Sequence, residues 1–165
     1  MKKILRKVFI VLLSFLFLSA PAVHAYSSVD KAAGLGQSPD FSLSTVSGKT
    51  VSLEDSRGKN VVLFFFTTWC PWCRKKFPEL VKNQERYKND GVELIIIDAG
   101  ESRAKVLSFV QKQGIPFDIL LDVDMKVSED YDIVGIPAFV LISEDGRILY
   151  RDNDMPDNYK KIFGK

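Results

Sequence analysis

The 165-residue sequence predicts an α/β domain built on a mixed sheet with helices on its faces. Three observations predict it. Val61 to Phe66 is an unbroken apolar run, and Val92 to Ile97 is a second, as strands covered on both faces require. Between them, from Pro71 to Lys88, the apolar spacing changes to that of a helix, so one buried strand feeds a helix directly. Late in the chain, two short β-type runs flank Ser143-Glu144-Asp145-Gly146 and form a hairpin.

The elements run in chain order. Met1 to Lys7 is basic, Val8 to Ala20 is apolar apart from two serines, and Val23-His24-Ala25 offers small residues at both key positions of a signal-peptidase site; residues 1–25 are therefore expected to be a removed signal peptide. An uncleaved membrane anchor is the alternative, although the apolar core is shorter than the roughly 20 residues a span needs. Residues 26–37, rich in Ser, Ala and Gly, form a leader, and residues 38–165 are expected to be one domain. Phe41 to Val46 and Thr50 to Leu53 are paired strands across Ser47-Gly48-Lys49. After the helix, in which Cys73, Phe77, Leu80, Val81 and Tyr87 share a face, Asn89-Asp90-Gly91 ends the segment. Ser102 to Gln113 is a second amphipathic helix closed by Gly114, Phe117 to Leu121 another strand, and Met125 to Tyr131 a short helix. Ala138 to Ile142 and Arg147 to Tyr150 make the late hairpin, and Pro156 to Phe163 leaves room for about two helical turns.

Charge and composition exclude several functions. Loss of Lys2, Lys3, Arg6 and Lys7 with the leader reduces 23 basic residues to 19 against 21 acidic ones, a net charge of −2. Neither a nucleic-acid surface nor a polybasic membrane surface follows from that balance. His24, the only histidine, is lost as well, which removes Ser-His and Cys-His hydrolases, imidazole metal sites and a histidine base. The chain has no NAD or flavin fingerprint, and no cofactor is expected.

Two cysteines remain, in Trp69-Cys70-Pro71-Trp72-Cys73, where the buried strand meets the first turn of the helix. A sulfur at Cys70 meets unpaired N–H groups, those of Trp72 and Cys73, and the positive end of the helix dipole. Such settings lower a thiol pKa from about 8.5 to between about 3.5 and 7.5, and Arg74, Lys75 and Lys76 add positive charge nearby. Pro71 occupies the first helical position, where its missing N–H breaks no bond. Cys73 shares a face with Phe77 and Leu80 and is expected to be the more buried thiol. Cys70 would then attack a substrate disulfide and Cys73 would resolve the mixed disulfide, or the reverse in an oxidant. The competing readings are weaker. A zinc site lacks two ligands, a structural bridge this short restrains the unfolded chain little, haem attachment needs a histidine where Arg74 stands, and a peroxidase does not require a second thiol so close.

These residues resemble the thioredoxin superfamily, and within it the exported TlpA and ResA-like thiol-disulfide oxidoreductases. Ser38-Pro39-Asp40-Phe41, Gly48-Lys49, Val51-Ser52-Leu53 and Gly58-Lys59 are similar to that family's opening hairpin, and Thr68-Trp69-Cys70 through Cys73 to its active site. Phe77-Pro78 is similar to the family's helix just past that site, and Gly135-Ile136-Pro137 to its cis-proline loop. The resemblance implies a thioredoxin-like fold for residues 38–165, a TlpA-type central insertion over Gly100 to Asp122, and a cis Ile136–Pro137 bond facing Cys70. It further implies substrate contacts at Trp69, Pro71, Trp72, Ile136 and Pro137, with the backbone of residue 136 pairing with an extended substrate. Trp69 is expected at the site surface or half in the core, and Pro78, inside the helix, should kink it.

The chain departs from the family twice. Phe64 stands where thioredoxins have a buried Asp, and Lys76 where ResA-like members have a Glu, so Cys73 must give up its proton to Lys76, Glu79, Asp98 or water. The expected activity is extracytoplasmic, periplasmic or equivalent, reduction of protein disulfides, as the family does for apocytochrome c, by a monomer fed by a membrane thiol donor. The alternatives are a disulfide donor or isomerase, and a metal-, haem- or client-binding module on the same scaffold.

Overall fold

The computed structural model describes residues 35–165; the expected signal peptide and most of the leader lie outside the described residues. Strands β1 (Ser42–Ser44) and β2 (Thr50–Ser52) form an antiparallel hairpin, followed by a 3₁₀ turn, Leu53–Ser56. Next come β3 (Asn60–Phe66), α1 (Pro71–Asn89), β4 (Val92–Ala99), α2 (Arg103–Gln113) and β5 (Leu120–Asp122). The chain then adds α3 (Lys126–Asp130), β6 (Ala138–Ile142), β7 (Ile148–Asp152) and α4 (Tyr159–Ile162).

The five-stranded sheet runs β5-β4-β3-β6-β7, with β3 parallel to β4 and antiparallel to β6. All seven residues of β3 are buried because it is the middle strand and both faces are covered. On one face Val62, Phe64, Phe66, Ile96 and Phe139 meet Cys73, Phe77 and Leu80 of α1 and Val106 of α2. On the other, Val61, Leu63, Phe65, Ile95 and Ile97 meet Phe41 and Leu53 of the opening segment and Val127 and Tyr131 around α3. The first face is closed by rings: Phe64 stacks on Phe139 at 4.7 Å and meets Phe77 edge-on at 5.7 Å.

Several elements are shorter than the sequence pattern suggests. Strand β5 begins at Leu120, not Phe117, because Asp118 turns aside to accept the Ser47 backbone N–H (3.1 Å) and hydroxyl (2.5 Å). Pro156 to Asn158 forms a turn, Tyr159 N–H bonding to the Pro156 carbonyl (3.2 Å), so the tail holds one helical turn rather than two. Val81 is exposed rather than on the core face of α1. Helix α1 runs through Pro78, and Gly114 ends α2 in the left-handed region at φ 62°, as its sequence position predicts. The segment Leu35–Gln37 lies along β7: Leu35 N–H bonds to the Ile148 carbonyl (2.7 Å) and Ile148 N–H to the Gly36 carbonyl (2.9 Å).

Candidate active site

The site is assembled where β3 ends. Phe66 completes the buried strand, Thr67 and Thr68 turn the chain, and Cys70 becomes the N-cap of α1, with Pro71 starting the helix. The Cys70 backbone is extended (φ −74°, ψ 113°), which aims its sulfur back over the helix end, where Cys73 N–H donates to Sγ at 3.1 Å. The sulfur thus takes the place an N-cap oxygen usually fills. Cys70 and Cys73 form a disulfide, their Cα atoms 5.3 Å apart.

Burial keeps the order expected from the sequence, though the margin is small. Cys73 is fully buried in the α1 core, but Cys70, at 3 % exposed, is nearly as covered. Trp69 and Trp72 flank it and are 61 % and 67 % exposed, which places both rings at the surface and none in the core. The Lys75 ammonium lies 4.3 Å over the Trp72 ring, and Arg74 reaches the Trp69 carbonyl at 3.5 Å. Lys76 instead pairs with Asp154, beyond β7.

Facing this segment is the loop before β6. The Ile136–Pro137 bond is cis, and the Ile136 carbonyl oxygen lies 4.0 Å from Cys70 Sγ. Pro137 is buried, and its carbonyl accepts the Asn153 side chain at 2.6 Å, which fastens the loop to the end of β7. A groove of about 620 Å³ opens beside it, lined by Trp69, Glu101, Met125, Val134 and Ile136 among others. The structure therefore brings Trp69, Cys70, Trp72, Cys73, Ile136 and Pro137 together, with Pro71 exposed at the helix start.

The two positions where the family carries an acid hold none. Phe64 is a core ring, and Lys76 is engaged by Asp154. Of the residues considered for the proton of Cys73, Glu79 is exposed and Asp98 is fully buried at the end of β4. Burial first, then the neighbouring Glu101, pushes the Asp98 carboxyl up to about 8. Sequence reasoning misses Glu101. It is buried and accepts both the backbone N–H and the hydroxyl of Thr68, two residues before Cys70. An acid just past the C-terminal end of a central strand is the one signal that could have marked it.

Chemically, an opened disulfide here would leave a Cys70 sulfur anion stabilised by the Cys73 N–H and by the start of a 19-residue helix whose first turn carries no acid. The partner sulfur stays close enough to re-form the bond.

Known proteins resemble the chain accordingly. The AhpC/TSA family profile matches residues 36–151. The chain is 36 % identical over 111 residues to the thiol-disulfide oxidoreductase ResA of Bacillus subtilis (strain 168), covering 67 % of this chain and 62 % of that protein. It is 32 % identical over 127 residues to the ResA of Bacillus cereus (strain ATCC 10987 / NRS 248), covering 76 % and 73 %. Among solved structures, that of a putative protein disulfide isomerase from Bacteroides thetaiotaomicron superposes with a TM-score of 0.68 at 31 % identity, covering 77 % of this chain and 84 % of that one. With a cysteine pair capping the first sheet-side helix opposite a cis-proline, and with this match along most of its described length, the chain belongs to the thioredoxin-like AhpC/TSA family.

Proposed function

We propose that the protein is a thiol-disulfide oxidoreductase that exchanges disulfides with protein substrates, with Cys70 as nucleophile and Cys73 as resolving thiol. The observation that carries this reading is the Cys70–Cys73 disulfide at the first turn of α1, its Cys70 sulfur accepting the Cys73 N–H and facing the Ile136 carbonyl. An attacking thiolate opens the disulfide at Cys70 and leaves a mixed disulfide; Cys73 departs as a thiolate and takes up a proton. In the reductive direction the Cys70 thiolate attacks one sulfur of the substrate disulfide, whose other sulfur leaves and is protonated; Cys73, giving up its proton, then attacks Cys70 Sγ, and the substrate sulfur held there leaves and is protonated in turn. Trp69 and Trp72, exposed beside the sulfur, supply apolar contact for a client, and Ile136 supplies backbone hydrogen-bonding groups to an extended segment.

The same proposal makes the protein an extracytoplasmic reductant that works as a monomer, draws electrons from a membrane thiol donor and serves apocytochrome c among its clients. The basic and then apolar opening of the sequence and the family resemblance support it. Among the described residues no helix is long and apolar enough to cross a membrane.

A Cys73→Ala variant expressed with its leader tests the roles: it is expected to accumulate mixed disulfides through Cys70, while Cys70→Ala accumulates none. No captured protein, together with no reduction of a protein disulfide by the wild type, would refute the reading. Equilibration with glutathione sets the direction, since a potential near about −270 mV marks a reductant and one near about −120 mV an oxidant.

A further inference from the structure

Beyond the cysteine pair, a cluster of polar side chains is buried at the C-terminal end of β4. Asp98 pairs in register with Phe66 of β3 and, two residues from Ile96, lies on the face against which α1 and Cys73 pack. Its Oδ1 accepts the Glu101 N–H at 3.0 Å, while its buried Oδ2 has no N–H or hydroxyl donor. The group that meets it is the Glu101 carboxyl. Glu101 is held by three other donors: the Thr68 N–H, the Thr68 hydroxyl at 2.9 Å and the Lys105 ammonium at 2.5 Å.

Two carboxylates in contact and out of water cannot both be ionised, and an oxygen without a donor needs one. A single proton between them answers both demands. The donors decide where it sits: Glu101 receives three and stays anionic, Asp98 receives one and is protonated. Glu101 is held below the usual carboxylate range even though burial, the strongest influence on it, acts the other way; its hydrogen bonds with Asp98, Lys105 and Thr68 prevail. Lys105 of α2 is the cation facing the pair, and the loop after β3 contributes the uncharged Thr68; α1 packs on the same face of the sheet through the uncharged Cys73, Phe77 and Leu80. Asp122 of β5 points to the opposite face, where it accepts the Val127 and Ser128 N–H groups.

We propose that Asp98 and Glu101 are positioning residues for disulfide exchange, a one-proton clamp through which Glu101 fixes Thr68 and so the loop that presents Cys70. The inference rests on the oxidoreductase reading. Thr68 lies two residues before Cys70, and the Cys70 N–H bonds to the Thr67 carbonyl at 3.3 Å, so the loop is tied on both sides of the turn. Loss of the shared proton sets two buried negative charges against each other. The relief open to Glu101 is to swing with Lys105 into the groove that both residues line beside Trp69 and Ile136. Thr68 then loses both acceptors and the Cys70 loop loosens, so exchange depends on pH through a group that is not a thiol.

The test is the rate at which dithiothreitol opens the Cys70–Cys73 disulfide in the full-length protein across neutral and alkaline pH, normalised to its rate with a small free disulfide to remove the ionisation of dithiothreitol itself. The normalised wild-type rate is expected to change severalfold with a midpoint near pH 8. Asp98→Asn keeps the shape and a donor towards Glu101 but carries no ionisable proton, so its midpoint disappears; Glu101→Gln removes it too. A purely structural role would shift the rate equally at every pH. An infrared band of a protonated carboxyl at neutral pH, titrating near pH 8 and absent in Asp98→Asn, reads the proton directly and needs only the wild type should a variant fail to fold. A flat wild-type profile, an unchanged midpoint in Asp98→Asn, or no protonated carboxyl overturns the clamp. If the protein reduces protein disulfides with a flat profile, the clamp fails and the oxidoreductase reading stands; if it exchanges with no protein, the reading itself fails.

Discussion

Replacing Asp98 by Asn is expected to stabilise the protein at alkaline pH and leave it unchanged in acid. A carboxyl raised from 3.8 to about 8 binds its proton more tightly in the folded than in the unfolded chain. Its contribution is therefore fully present below pH 3.8, is lost as pH rises to about 8, and is level above that. A shift of about four units at roughly 1.4 kcal/mol each bounds the effect near 6 kcal/mol. Part of that is returned when Glu101 turns to solvent with Lys105, so about 2–4 kcal/mol is expected to separate the variant from the wild type at pH 9. Asparagine holds no such proton, keeps the bond from the Glu101 N–H, and has an amide to offer Glu101. Glu101 is held below its ordinary value of 4.5, so its own contribution changes below about pH 5 and not between pH 5 and 9. Urea melts of the oxidised proteins at pH 5, 7 and 9 measure the difference; at a slope of roughly 1–3 kcal/mol/M the midpoints should part by about 1 M or more at pH 9. Far-UV circular dichroism is the suitable signal, because Trp69 and Trp72 are already exposed and report unfolding weakly. Midpoints that stay parallel from pH 5 to 9, or a variant less stable at pH 9, would refute the one-proton pair.

Phe64→Ala removes the ring that stacks on Phe139 and meets Phe77, and should cost about 3–5 kcal/mol in a urea melt at pH 7 without changing the helix content of the folded state. Trp72→Ala, at an exposed position, should change stability by less than about 0.5 kcal/mol but slow exchange with a protein substrate more than with a small disulfide. Lys76→Glu breaks the pair with Asp154 at a cost under about 1 kcal/mol and brings negative charge towards the helix start, so the glutathione equilibrium should shift to a more reducing potential.

Patterns that depend on burial were readable in the sequence. Val61 to Phe66 announces a central strand because both its faces must be apolar, and Pro71 after Cys70 marks the helix start because only there does a missing N–H cost nothing. The position of the cysteine pair at that junction followed from these two. What pairing decides was not readable. Phe117 looks like a strand residue until Asp118 is found bonded to Ser47, 71 positions earlier, and Val81 continues a helical stripe that no neighbouring element covers. Cys70 is shielded by chain from distant positions, the Ile136 loop among them, which its own neighbours do not foretell. Glu101 stayed hidden for the same reason: its meaning lies in Thr68, 33 residues away.

The short segment Leu35–Gln37 has a consequence for how copies of this molecule keep apart. By occupying the Ile148 amide and carbonyl, it acts as a selvedge on the sheet's open border, where a stranger's strand would otherwise be free to zip on. Trimming the chain to begin at Ser38 would bare that border, and clumping, rather than lost chemistry, would be the first symptom.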